Sequence, residues 1–128
     1  MNISKASKIS GLSIKTIRYY SDIHLVDPNE RNESGYRIFN GKDVKKLIFV
    51  RRAREFGFSI QECRELLDLY ENKKRSSNMV KKIATKRLNE ILIKQQELQC
   101  LNDELTRLIS KCRGDHRPEC PIIEELSN

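Results

Sequence analysis

Ile3-Ser4-Lys5-Ala6-Ser7-Lys8-Ile9-Ser10-Gly11-Leu12-Ser13-Ile14-Lys15-Thr16-Ile17-Arg18-Tyr19-Tyr20 is the stretch that decides the fold. Ile3, Ala6 and Ile9 recur at helical spacing, with Ser4 placed to cap a first short helix. Gly11 ends it. Ser13 can cap a second helix running to about Ser21. Leu12, Thr16, Ile17 and Tyr20 then face inward, and Lys15, Arg18 and Tyr19 are left on the other faces. A helix, a glycine turn, and a second helix carrying basic and aromatic side chains is the pattern of a helix-turn-helix.

The neighbouring sequence extends this pattern into a winged domain. After Pro28 the chain turns polar through Arg31-Asn32-Glu33-Ser34-Gly35, and Tyr36-Arg37-Ile38-Phe39 has the composition of a short strand. Pairing with Leu25-Val26 predicts a two-stranded wing turned at residues 32–35, with Arg31, Tyr36 and Arg37 at its rim, where they can reach phosphates. Asn40 is placed to open a third helix that Gly57 stops. Ser59 and Glu62 form a capping box for a fourth. On that helix Ile60, Cys63, Leu66, Leu67 and Tyr70 share a face, which predicts a buried thiol at Cys63.

Residues 72–78 are polar and read as a hinge. A helix over 79–111 follows, uninterrupted by Pro or Gly. Ala84, Leu88, Ile91, Gln95, Leu98, Asn102, Leu105, Ile109 and Cys112 form a heptad-like seam along it. Such a helix cannot bury its stripe alone, so a homodimer is the economical solution. Cys100 lies off the seam and is expected near a core. The expected fold is mainly α. A winged helix-turn-helix domain spans 1–70, a hinge 71–78 and a dimerisation helix 79–111. A metal-binding loop with a short terminal helix occupies 112–128.

The 128 residues carry a formal net charge of +7, which favours polyanionic partners such as nucleic acid or anionic lipid. No run of 18 apolar residues exists to span a membrane. Residues 1–5 lack the apolar stretch of a signal peptide, so a cytoplasmic protein with reduced thiols is expected. Cys112-Arg-Gly-Asp-His-Arg-Pro-Glu-Cys120-Pro121 places two thiols across a seven-residue loop. Two thiolates suit a soft monovalent ion, Cu(I), Ag(I) or Au(I). His116 and Asp115 could extend the set to four for zinc, although the spacing is not that of a finger. A labile disulfide or inert surface thiols are the other readings. No nucleophile motif, phosphate-binding glycine loop or metalloprotease motif is present, which argues against an enzyme.

The N-terminal stretch, with Arg31-Asn32-Glu33-Ser34-Gly35-Tyr36-Arg37 and Ala53-Arg54-Glu55-Phe56-Gly57-Phe58-Ser59, resembles the mercury-resistance-regulator (MerR) family. Cys112-x-Gly114-Asp115 and Cys120-Pro121-Ile122-Ile123-Glu124 resemble its copper-efflux-regulator branch. The resemblance implies a homodimer whose winged domains sit at the ends of an antiparallel coiled coil. It implies binding to double-stranded promoter DNA and activation of RNA polymerase on the same promoter by metal-dependent distortion of the operator. Lys15, Arg18 and Tyr19 match its recognition-helix contacts. Arg31, Tyr36 and Arg37 match its wing contacts, and Arg54 a phosphate contact. Ser77 matches the site where branches sensing divalent ions place a Cys, so it implies monovalent selectivity. Met79, His116 and Arg117 depart from the copper-like pattern. A sensor of Au(I) or a divalent ion, a thiol-redox regulator, and an adaptor dimer that binds no DNA stand as alternatives.

Overall fold

The computed structural model describes residues 1–128. Its elements, in chain order, are α1 (Ile3–Ser10), α2 (Ile14–Asp22), β1 (Glu30–Arg31), β2 (Arg37–Ile38), α3 (Gly41–Glu55), α4 (Ile60–Glu71), α5 (Ser77–Lys111) and α6 (Pro121–Ser127). The chain divides into two compact units, Met1–Ala84 and Thr85–Asn128.

In the first unit every helix start has a side-chain cap that satisfies an otherwise orphan amide. Ser13 accepts from the Thr16 amide at the head of α2. Asn40 with Asp43 on α3, and Ser59 with Glu62 on α4, form reciprocal capping boxes. At α1 the cap is Asn2, which accepts from the Lys5 amide at 2.9 Å, and not the expected Ser4, which lies one residue inside the helix. Gly11 closes α1 at φ +79, a conformation that charges any side chain a steric cost.

The core forms where the apolar faces of these helices converge. Ile17 and Tyr20 of α2, Val44, Leu47 and Val50 of α3, and Cys63, Leu66 and Leu67 of α4 are buried together with Ala6 and Phe39. Val80 and Ile83, on the first turns of α5, lie against the same cluster. Cys63 is completely buried, as its helical register requires, and burial pushes its thiol pKa up.

The wing differs from expectation. Leu25 and Val26 are not a strand. Their amides both turn back to the Tyr20 carbonyl, at 2.9 and 3.2 Å, so they wrap the end of α2 and their side chains enter the core. The strand partner is Glu30–Arg31, with Glu30 opposite Ile38 and Arg31 opposite Arg37 in antiparallel register. The Asn32 carboxamide sets the tip by accepting from the amides of Ser34 and Tyr36, each at 3.0 Å.

In the second unit Leu108 is buried, while Leu88, Leu98, Leu105 and Ile109 are each more than half exposed. Cys100 is exposed as well, because no other part of the chain covers that turn of α5. Past Lys111 the Cys112 amide still bonds to the Leu108 and Ile109 carbonyls. Gly114, at φ +65, then turns the chain into a loop ending at Pro121, the first residue of α6. No helix is long and apolar enough to cross a membrane.

Candidate functional site

Two groups of side chains carry chemistry, one in each unit. The first begins on α2. Its 3.6-residue period buries Ile17 and Tyr20, and so turns Lys15, Arg18 and Tyr19 to solvent. No hydrogen bond or ion pair engages the cationic heads of Lys15 and Arg18. A cleft of about 350 Å³ gathers Arg18 with Arg31, Tyr36 and Arg37 of the wing and with Asn2, Ile3 and Ser4 at the head of α1. Lys15 and Tyr19 lie outside that lining, and the Tyr19 ring centroid is 5.9 Å from that of Tyr20.

The arginines differ in their commitments. Arg31 Nη1 donates to the Gly35 carbonyl at 3.0 Å, which braces the wing tip. Arg37 Nη2 donates to the Asp22 carboxylate at 2.6 Å. Arg54 Nη1 donates to the Phe58 carbonyl at 2.7 Å, across the turn between α3 and α4. Burial pushes the Tyr20 phenol pKa up, and the charge of Arg54 works against that rise. Unlike Arg31, Arg37 and Arg54, Lys15 and Arg18 can therefore reach a polyanion without breaking an internal contact.

The second group is the thiol pair. Cys112 Sγ lies 3.3 Å from Cys120 Sγ. Both are free and half-buried. The Ile123 amide, then the Cys112 thiol and the Ile122 amide, hold the Cys120 thiol below its ordinary range. No directed capping bond forms at the head of α6, so these amides act on the large sulfur through their dipoles. The Asp115 carboxylate is paired at the surface: it accepts from Arg117 Nε at 2.9 Å and Nη2 at 2.7 Å, which holds its pKa low. No group of three or more His, Cys, Asp or Glu side chains is placed to hold a metal. The four-ligand zinc arrangement that His116 and Asp115 could complete is therefore not assembled by this chain. Cys112 and Cys120 are the side chains that would hold a soft metal ion, to which they would supply two thiolate sulfurs. Pro121 and Ile122 beside the pair are half-buried, while Ile123 is exposed.

Residues 1–70 match the family pattern described as MerR HTH family regulatory protein, and residues 44–108 match the one described as MerR, DNA binding. The chain belongs to the MerR family. It is 52% identical to the HTH-type transcriptional regulator HmrR of Rhizobium leguminosarum bv. viciae, over 100% of this chain and 98% of that one. It is 47% identical to the heavy metal-dependent transcription regulator 2 of Rhizobium meliloti, over 100% of this chain and 87% of that one. Among solved structures it is similar to the transcription regulator PbrR691 of Ralstonia metallidurans CH34 in complex with lead(II). There the TM-score is 0.83 at 26% identity, covering 98% of each chain. Members of the MerR family are DNA-binding transcription regulators, so this chain is a regulator and not an enzyme.

Within this MerR-family chain, several contributors escape a reading by residue type. Asn32 organises the wing tip, Arg64 of α4 reaches the end of α2, and Ser76, not Ser77, caps the head of α5 through the Asn78 amide at 3.2 Å. Ser77 is the exposed first residue of α5. Lys42, Lys45, Lys46 and Lys73 surround a further cleft with Tyr70 and Glu71, and Lys46 pairs with Glu71 at 2.6 Å. The i, i+3, i+4 spacing of the three α3 lysines is the signal that marks them.

Proposed function

We propose that this MerR-family regulator senses Cu(I), and Ag(I) with it, through Cys112 and Cys120, and activates a metal-efflux or detoxification promoter. The observation that carries the proposal is the sulfur pair at 3.3 Å with no third ligand gathered beside it. Two soft thiolates and no harder donor match a monovalent coinage-metal ion. The likeness of the loop to the copper-efflux-regulator branch and the Ser at position 77 support the same choice.

The DNA-reading half of the proposal rests on α2 and the wing. Arg18 offers guanine a planar fork in the major groove, and Lys15 stands one turn earlier on the same helix. Tyr19, Arg31, Tyr36, Arg37 and Arg54 position the protein on the backbone. The functional unit is a cytoplasmic homodimer. Leu88, Leu98, Leu105 and Ile109 of α5 lie half open, and covering each is worth ~1 kcal/mol, half the value of complete burial. Metal binding changes how the dimer distorts double-stranded operator DNA, which aligns the promoter for RNA polymerase.

X-ray absorption on the intact protein, loaded with buffered Cu(I) under reducing conditions, tests the ligand count. Two sulfur neighbours per metal are expected, and a first shell with three or more sulfurs, or with nitrogen, contradicts the proposal. The likeness to the lead(II) complex of PbrR691 favours a second reading, a divalent-ion sensor. In that reading a partner subunit must complete the ligand set, and Pb(II) binds in preference to Cu(I).

A further inference from the structure

The end of α2 is held by side chains from outside it. Asp22 is the last residue of α2, and His24, two residues on, takes φ +58, unusual for a residue other than glycine. That bend turns the Ile23 and His24 carbonyls outward, and one guanidinium collects both. Arg64 of α4 donates from Nη2 to the Ile23 oxygen at 3.1 Å and from Nη1 to the His24 oxygen at 3.0 Å. A cation there also meets the negative end of the helix dipole. Asp22 by itself opposes that dipole, and Arg37 of the wing answers it at 2.6 Å. The Arg37 side chain is 23% exposed and that of Asp22 62%, so the contact pins a largely buried guanidinium at the protein surface. One end of one helix is thus clasped from two directions, by residues 40 positions later in the chain and 15 positions later.

We propose that Arg64 and the Asp22–Arg37 pair are positioning residues for operator reading. They set the pose of α2 relative to the wing so that Arg18 meets its base while Arg31 and Tyr36 meet the backbone. Neither Arg64 nor Asp22 need touch DNA. The proposal rests on the reading of α2 as the base-reading helix. It assigns to Arg37 a role through Asp22, beyond any contact of its own with phosphate. Asp22 separates the two roles. If Arg37 served phosphate alone, removing the neighbouring carboxylate charge should leave binding unchanged or tighten it. If Arg37 positions the wing through Asp22, the same change weakens discrimination.

The test uses the intact protein and a duplex selected in vitro on the wild type, against a scrambled duplex of equal length. Affinity is measured for both duplexes across salt concentrations for wild type, Arg18→Ala, Asp22→Asn, Arg64→Met, Arg64→Lys, Arg37→Gln and Asp22→Asn/Arg37→Gln, with thermal melting alongside. For Asp22→Asn and Arg64→Met the ratio of operator to scrambled affinity should fall on the order of tenfold, the size of one misread base pair. The salt slope should hold, because no phosphate contact is lost. Arg64→Lys should recover part of the ratio. The double variant should lose no more than its worse single variant, since the two residues act as one contact. If Arg64→Met unfolds, Asp22→Asn and the pair with Arg37 decide alone. A ratio unchanged in Asp22→Asn, or losses that add in the double variant, would overturn the clasp. If the wild type does not discriminate between the duplexes and Arg18→Ala binds as well as it does, the reading of α2 falls first and the clasp with it.

Discussion

Replacing Gly11 by Ala should destabilise the first unit by about 2 kcal/mol, and the structure shows where that figure comes from. Gly11 lies at φ +79, in the turn between α1 and α2, with its amide bonded to the Ser7 carbonyl at 3.0 Å. Holding a non-glycine residue in the left-handed region costs about 1–2 kcal/mol. An added Cβ would also stand 2.6 Å from Arg51 Nη1. That atom is the far end of a flexible side chain, so Arg51 can swing aside, at about 0.5–1.5 kcal/mol if it leaves a good rotamer. At about 4–8 °C per kcal/mol for a unit of this size, the melting temperature should drop by on the order of 10 °C. Urea denaturation followed by circular dichroism checks the free energy, with an unchanged slope showing that the unfolded state is the same. Gly11→Asn should lose less, since Asn tolerates this conformation. Gly41→Ala is the control. Gly41 opens α3, has nothing within 4 Å of its added Cβ, and should gain about 0.5–1 kcal/mol. A Gly11→Ala protein as stable as the wild type, or a Gly41→Ala loss matching it, would refute the reasoning.

Other outcomes follow from the same contacts. Ser59→Ala removes the acceptor for the Glu62 amide at the head of α4, and should cost about 1 kcal/mol in thermal or chemical denaturation. Arg18→Ala should weaken operator binding by about 1–3 kcal/mol and relax preference at one base pair, read by competition among duplex variants. Burial pushes the Asp27 carboxyl up, but bonds from His24 at 2.7 Å and Ser21 at 2.9 Å outweigh it and leave its pKa lowered. Its contribution to stability is therefore full above the ordinary Asp value and fades as pH falls through the lowered one. Asp27→Asn should lower stability at neutral and alkaline pH, flatten the acid side of the stability–pH curve, and converge on the wild type at the acid end. Cys112→Ser and Cys120→Ser should each abolish metal-dependent transcription while leaving operator affinity in gel-shift assays within about twofold, less than the 1.4 kcal/mol that a tenfold change represents.

What the sequence made legible divides along a physical line. Local signals with a strong geometric consequence read directly. Ser13, Asn40 and the Ser59/Glu62 box cap the helices expected of them, because an N-cap acts over three residues. Cys63 is buried as its helical register requires. The wing did not read in the same way. Leu25 and Val26 have strand composition, but their amides are used by the Tyr20 carbonyl and their side chains by the core. The true strand, Glu30–Arg31, is two residues long and is fixed by the Asn32 turn and not by its own propensity. Residue type also hid the internal work of Arg37 and Arg54, since a basic side chain facing solvent and one tied to a carboxylate or carbonyl look alike in sequence. Cys100 is exposed because no other segment of its own chain covers that turn of α5. The thiol pair was legible as chemistry, whereas the ion pair between Asp115 and Arg117 needed coordinates.

Run-off transcription from the protein's own promoter, under anaerobic reducing conditions with buffered free Cu(I), Ag(I), Au(I), Zn(II), Pb(II) and Hg(II), tests the central claim most directly. Activation by the monovalent ions alone is expected, lost in Cys112→Ser and Cys120→Ser. Activation by Zn(II), Pb(II) or Hg(II) at comparable free concentration, or an equal response to oxidant without metal, would contradict a two-thiolate sensor of a monovalent ion.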